Sequence, residues 1–279
     1  MIETRGFKLF RVVGLTLLTL FVALPVYIIV ATSMKPLEDV RGTFEWWPSR
    51  ITLEPYVEMW ATIPLFDYFI NSLVVSVIAT SVSVAIAVIA AYALARMRFR
   101  GQRLFGMVIL STQMFPGILF LLPLFLIFVQ LKSWTGVQFT GSYTGLIITY
   151  LTFALPFSIW MLTGYFRSIP FELEEAAMVD GTGRVGAMLR VILPVAKPGI
   201  IAVTVFAFNT AWGELLFASV LTNDKTRTLA VGLQQYLSEV DVFWNQLMAA
   251  SLAVSLPLLI FFLMMQKHLV AGLAAGSVK

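Results

Sequence analysis

The sequence contains no cysteine and one histidine, His268. That excludes a disulfide frame, a thiol nucleophile and any cysteine-based metal site. Its serines, acids and lysines form no arrangement of nucleophile and base, so a membrane enzyme is disfavoured. Charge is scarce as well. Asp, Glu, Lys and Arg make up 12% of the 279 residues, against about 25% in ordinary soluble domains. Apolar residues supply 59%, and the mean hydropathy is +0.89. A soluble domain of this composition would lack the polar surface to cover itself, so the class is integral membrane protein.

What is present is a series of long apolar runs. One helix needs about 20 mostly apolar residues to cross a bilayer, and six runs qualify. The first is Val12 to Met34. The second lies near Asn71 to Ala95, the third between Arg103 and Lys132, and the fourth at Tyr143 to Phe166. The fifth lies between Lys197 and Asp224 and the sixth between Asp241 and Lys267. The expected fold is all-α, with six transmembrane helices. The first run is longer than the apolar core of a secretory signal, which favours a retained span over a cleaved leader. Pro116, beside Gly117 in the third run, either kinks a helix along a translocation path or packs in an ordinary apolar helix.

Orientation follows from the basic residues. With the N-terminus in the cytoplasm, the inner segments hold Arg5, Lys8 and Arg11; Arg96, Arg98, Arg100 and Arg103; Arg167, Arg184, Arg190 and Lys197; and Lys267 and Lys279. That is 13 of the 19 lysines and arginines, so both termini are expected inside. The same placement accounts for the pI of about 9.4, and no nucleic-acid partner is needed to explain it. Residues 1–11 are then a cytoplasmic N-terminus, 12–266 the membrane domain and 267–279 a cytoplasmic tail. An outer loop carries Trp46, Trp47, Tyr56 and Trp60, residue types that favour a membrane interface.

One inner segment, residues 170–194, is unusually rich in charge. Its GTGRVG, Gly181 to Gly186, fits the spacing of a dinucleotide-binding turn. The context fails, however: no strand precedes it, a membrane span follows it, and no P-loop lysine is present. Two short helices fit better. Pro170 suits a helix start, and Glu172, Glu174 and Glu175 favour the positive end of the helix dipole. Leu173, Ala176 and Ala177 share one face at about 100° per residue, where small side chains let another surface approach. Gly181 is suited to the left-handed conformation that ends a helix. The segment reads as a helix–glycine–helix knob below the membrane, or more plainly as a solvated connecting loop.

EAAMVDG, followed nine residues later by VILP, resembles the EAA motif of ABC importer permeases: Glu-Ala-Ala, three residues, Gly, nine residues, Ile-x-Leu-Pro. Glu175, Ala176, Ala177, Gly181, Leu193 and Pro194 match, and Val191 replaces the usual Ile. NSLVVS, AYALARMRFRG, QMFPGILFLLPLF, RTLAVGLQQYL and HLVAGLAAGSVK extend the resemblance over nearly the whole chain, toward the MalG-type carbohydrate permeases. The resemblance implies the type I importer architecture in a bacterial-type inner membrane. It implies that Glu172 to Gly181, Asp180 included, is a coupling helix docking on a cytoplasmic ATPase. The implied partners are a second homologous permease, two copies of that ATPase and an extracytoplasmic sugar-binding protein, all set in a lipid bilayer. ATP and magnesium would be bound by the ATPase, with no cofactor in this chain. Maltose and maltodextrins are the expected cargo; trehalose, glycerol phosphate or another oligosaccharide are the alternatives.

The tail GLAAGSVK, with Gly272, Gly276 and Lys279, resembles a family tail that contacts the ATPase pair; the alternative is a frayed, solvated terminus. Glu214 is the one acid in the fifth run, and intramembrane acids usually face a bundle interior or a water-filled path. With Asn209 and Trp212 it offers the hydrogen-bonding and aromatic groups of a sugar path; structural pairing is the alternative. A proton-coupled secondary transporter would need several intramembrane ionisable groups or an internal repeat, and neither is evident.

Overall fold

The computed structural model describes residues 5–237 and 242–276, with side chains to residue 266. The chain is all-helical. Five helices among the described residues are long and apolar enough to cross a membrane, or six if one bent pair counts as a span. The described residues fall into two compact units, one drawn from Met1–Phe66 and Gly232–Leu256, the other from Asp67–Val231 and Pro257–Lys279.

The first unit begins with α1, Arg5–Ser33, whose most apolar window is 0% buried. Lipid or another chain must therefore cover it. Short helices α2, Leu37–Arg41, and α3, Glu54–Thr62, follow it. The Ser49 hydroxyl and N–H both donate to Asp39, and these bonds hold its carboxyl below the usual carboxylate range. Trp46, Trp47 and Trp60 are exposed, while Tyr56 is half-buried and bonded to Ser33 at 2.8 Å. The buried Tyr236 hydroxyl donates to the Met59 carbonyl at 2.5 Å, and Gln246 ties Thr62 to Glu58.

The second unit is built on α4, which runs Leu65–Arg96. Its buried stripe is small: Ser76, Ala79, Ser83, Ala87 and Ala91 recur at helical spacing. Small side chains let neighbouring backbones approach, the main source of helix packing in lipid. Two chains of contact use that stripe. One joins Ala87, Ala91 and Tyr92 to Ile159, Leu162, Phe166 and Val203. The other joins Val75 and Ala79 to Phe128, Leu146, Tyr150 and Phe217.

The third run is not one helix. α5 covers Gln102–Thr112, and after a break at Pro116 a tight turn, Gly117–Phe120, leads into α6, Leu121–Thr135. Pro116 thus stands at a break, not in the ordinary apolar helix that packing alone would place there; its ring removes a backbone donor. α7, Tyr143–Ser168, is capped by the Ser142 hydroxyl and carries Pro156 without interruption.

The charged knob follows: α8, Glu172–Val179; α9, Arg184–Ala187, with a π-helical turn Met188–Ile192; and α10, Leu193–Val195. Gly181 has φ +89°, the left-handed value expected there. Residues Arg184–Val195 meet α11, Lys197–Trp212, at 76°. Gly199 opens α11 against the Tyr165 ring of α7, where an added Cβ would lie 2.6 Å from the ring. The fifth span is likewise discontinuous: α11 stops at Trp212, and α12, Leu216–Leu221, continues after Gly213. α13, Leu229–Leu233, precedes α14, Trp244–Gly276. The sixth span's helix therefore runs on into the expected tail.

Candidate functional site

The coupling segment divides into residues that face the chain and residues that do not. Glu174 is 2% exposed and Ala177 8%. Glu172, Leu173, Glu175, Ala176 and Asp180 are exposed, Gly181 is exposed, Leu193 is half-buried and Pro194 is exposed. Ala177, expected on a docking face, is buried in its own chain, because α8 turns that side toward the knob. A bulky residue there would disturb the fold before it disturbed any docking.

Glu174 is the centre of a buried polar cluster. The Tyr92 hydroxyl donates to Glu174 Oε1 at 2.5 Å. Arg96 Nε lies 3.4 Å from Glu174 Oε2, with both side chains at most 5% exposed. That approach is a charge pairing without hydrogen-bond alignment. A second Arg96 nitrogen donates to the Ile169 carbonyl at 2.9 Å, and the guanidinium sits 5.4 Å from the Phe171 ring centre. Arg167 and Gln102 donate to the Leu94 carbonyl near the end of α4. Buried charges persist when they are paired and further bonded. Here the pairing fixes α8 to the C-terminal end of α4.

Sequence reasoning missed Tyr92 and Arg96 as partners. Their signal was present in AYALAR, where a tyrosine and an arginine four residues apart share one helix face.

The outward side of the knob is different. Val179 is 86% exposed, and Val185, Leu189 and Leu173 are exposed beside Glu172, Glu175 and Asp180. Exposed apolar side chains interspersed with acids along this short segment are unusual for a plain solvated loop.

The fifth-span group is not brought together as expected. Trp212 is buried, stacked on Phe208 at 5.4 Å and edge-on to Phe69 at 6.0 Å. Asn209 is exposed, and its carbonyl accepts from Gly213. Glu214 is half-buried, and its two oxygens accept from the backbone N–H groups of Phe217 and Ala218, each at 2.9 Å. The carboxylate satisfies donors that open α12, favoured by the positive helix end. Of the three, Glu214 alone lines a cavity of about 210 Å³, shared with Gly117, Tyr150, Phe153, Thr210 and Phe217. Gly272 and Gly276 lie on the α14 backbone, and Lys279 lies outside the described residues.

Comparison with known proteins bears on the family and the fold. Residues 83–274 match the family described as binding-protein-dependent transport system inner membrane component. The inner membrane ABC transporter permease protein YcjP of Escherichia coli is 39% identical over 95% of this chain and 94% of its own length. The diacetylchitobiose uptake system permease protein DasC of Streptomyces coelicolor is 36% identical over 95% of this chain and 96% of its own. The trehalose/maltose transport system permease protein MalG of Thermococcus litoralis is 34% identical over 82% of each. Among solved structures, a bacterial ABC transporter involved in import of the acidic polysaccharide alginate superposes with a TM-score of 0.78. It is 22% identical and covers 96% of this chain and 99% of that one, which shows a shared fold.

Proposed function

The chain belongs to the binding-protein-dependent transport system inner membrane components, and from that premise we propose how it works and what it carries. It is a multi-pass inner-membrane protein and a non-catalytic transport component. Its role is that of a permease subunit in an ABC importer of sugars or oligosaccharides, with maltose and maltodextrins as the cargo. A second homologous permease completes the path, two ATPase subunits drive it, and an extracytoplasmic binding protein delivers the sugar. Binding of ATP by the partner closes the ATPase pair and displaces the knob. The two permeases then alternate between inward-facing and outward-facing states.

The observation that carries this reading is the two-sided knob. Its exposed side carries apolar side chains together with acids, Val179 and Val185 with Glu175 and Asp180. Its other side is fixed to α4 through Glu174. A surface of that kind suits a protein partner, and the buried pairing suits transfer of the partner's motion into the membrane. The maltodextrin assignment rests on the resemblance of RTLAVGLQQYL and the tail to MalG-type permeases.

The test is ATP hydrolysis by the native complex, isolated through a tag on this chain, placed in nanodiscs and supplied with the binding protein. Stimulation by maltodextrins, with trehalose and diacetylchitobiose silent, is the expected result. Stimulation by another sugar keeps the importer and replaces the cargo. Absence of any co-purifying ATPase sinks the coupling role.

A further inference from the structure

Two spans of this chain break at one cavity. The third run breaks between Thr112 and Gly117, and the fifth between Trp212 and Leu216. Gly117 of the first break and Glu214 of the second line the same space of about 210 Å³, with the unbroken α7 supplying Tyr150 and Phe153 between them. Irregular backbone at membrane depth persists where it is buried or lines a cavity. Discontinuous spans that converge are where transporters hold their cargo.

The chemistry of the walls narrows the occupant. Tyr150 is 2% exposed, and its hydroxyl has no hydrogen-bond partner among the described residues. The Glu214 carboxylate lies beside that hydroxyl without hydrogen-bond alignment, and each of its oxygens accepts from one backbone N–H group. A buried donor left unpaired costs about 1–3 kcal/mol, so the hydroxyl is poised for an added acceptor. Phe153 and Phe217 stand 4.7 Å apart at 47° and give the cavity an aromatic wall. Among the described residues no lysine or arginine lines it, and Glu214 supplies its only charge. Hydroxyl groups can accept from Tyr150 and donate to the lone pairs left on Glu214, while the C–H face of a ring rests on the phenylalanines. A uronate or sulfonate would meet a carboxylate with no cation to offset it. The space is smaller than the roughly 300–1,000 Å³ of sites that enclose larger ligands, which suits one sugar ring, with Ile118 and Leu216 at the rim.

We propose that this cavity is a saccharide half-site carried by this chain itself, selective for a neutral sugar ring over an acidic one. It rests on the sugar-importer reading above.

The cysteine-free sequence makes a direct test available. In the full complex in nanodiscs, Thr210→Cys places one thiol in the cavity wall. A small methanethiosulfonate reagent is applied with and without ATP and vanadate, and labelling of this chain is followed. Maltose, trehalose, diacetylchitobiose and an alginate oligosaccharide are the probes. The expected result is labelling that a neutral sugar suppresses in a saturable way and the alginate oligosaccharide does not. Adding Tyr150→Phe should raise the half-protecting concentration roughly three- to tenfold, the size of one neutral hydrogen bond. The labelling rate without sugar reports whether that double variant keeps the cavity.

A thiol that labels freely while no sugar protects it, in a complex whose ATPase still answers to sugar, overturns the half-site and leaves the importer standing. A thiol that never labels in either state overturns it too, since cargo must reach that space through water. Protection by the alginate oligosaccharide alone overturns the selectivity. If no sugar either protects the thiol or stimulates the ATPase, the importer reading falls with it.

Discussion

Glu174 and Glu214 are both acids in apolar surroundings, and they are satisfied in opposite ways. Glu174 takes its partners from a helix about 80 residues away, Tyr92 and Arg96. Glu214 takes its partners from the next turn of its own chain, the N–H groups of Phe217 and Ala218. A carboxylate held by a distant element ties two parts of the fold together and passes displacement between them. A carboxylate held by its own backbone shapes one local break. The sequence position of an acid in a membrane protein therefore says little about its work until its partners are known.

The comparison can be broken most forcefully at Arg96. Arg96→Met leaves Glu174 buried without its cation and should destabilise the chain by about 3–5 kcal/mol, read as a lower denaturation midpoint of the purified complex. Adding Glu174→Leu should restore most of that stability, because apolar pairs often replace buried ion pairs well, while sugar uptake stays low. Recovery of uptake together with stability would remove the transmitting role. Glu174→Gln is milder. It keeps the shape and loses the charge facing Arg96, at about 2 kcal/mol, and sugar moved per ATP hydrolysed should fall more than ATP hydrolysis itself.

Glu214→Gln should cost about 1 kcal/mol, the worth of one capping bond, and leave the pH profile of uptake unchanged. A profile that shifts with this substitution would restore Glu214 as a titrating gate and erase the contrast with Glu174. The smallest effect belongs to Asp39, which is half-buried and bonded only within its own loop. Its carboxyl is held below the ordinary value, so its contribution is present above about pH 4 and fades as pH falls through the lowered value. Asp39→Asn should lower the denaturation midpoint slightly and evenly between pH 5 and 8, with the difference from the parent shrinking below about pH 4, which gives the baseline for an acid bonded only at the surface.

The apolar runs and the left-handed Gly181 were legible because each depends on composition or on one residue's own backbone. The orientation of α8 was not. A helix of eight residues with three acids in its first turn has no long periodic stripe to mark its inner face, so the burial of Glu174 and Ala177 follows only from packing. Trp212 was misleading for a related reason: an aromatic residue beside an acid looks the same in sequence whether it faces cargo or a stack on Phe208 and Phe69. The break at Gly213 left an acid as its visible trace, but the partners of that acid are backbone groups, which carry no residue signature. Tyr150 belongs to a different run from Glu214, and only folding puts both on one cavity.

Gly199 has a mechanical meaning. With the Tyr165 ring resting directly on its backbone, α7 and α11 have no slack between them, and neither can roll without dragging the other. The pair behaves as a single rigid strut. Movement of this pair against the segments that flank α11 is then left to the joints at its two ends: the 76° elbow after Val195 and the break at Gly213.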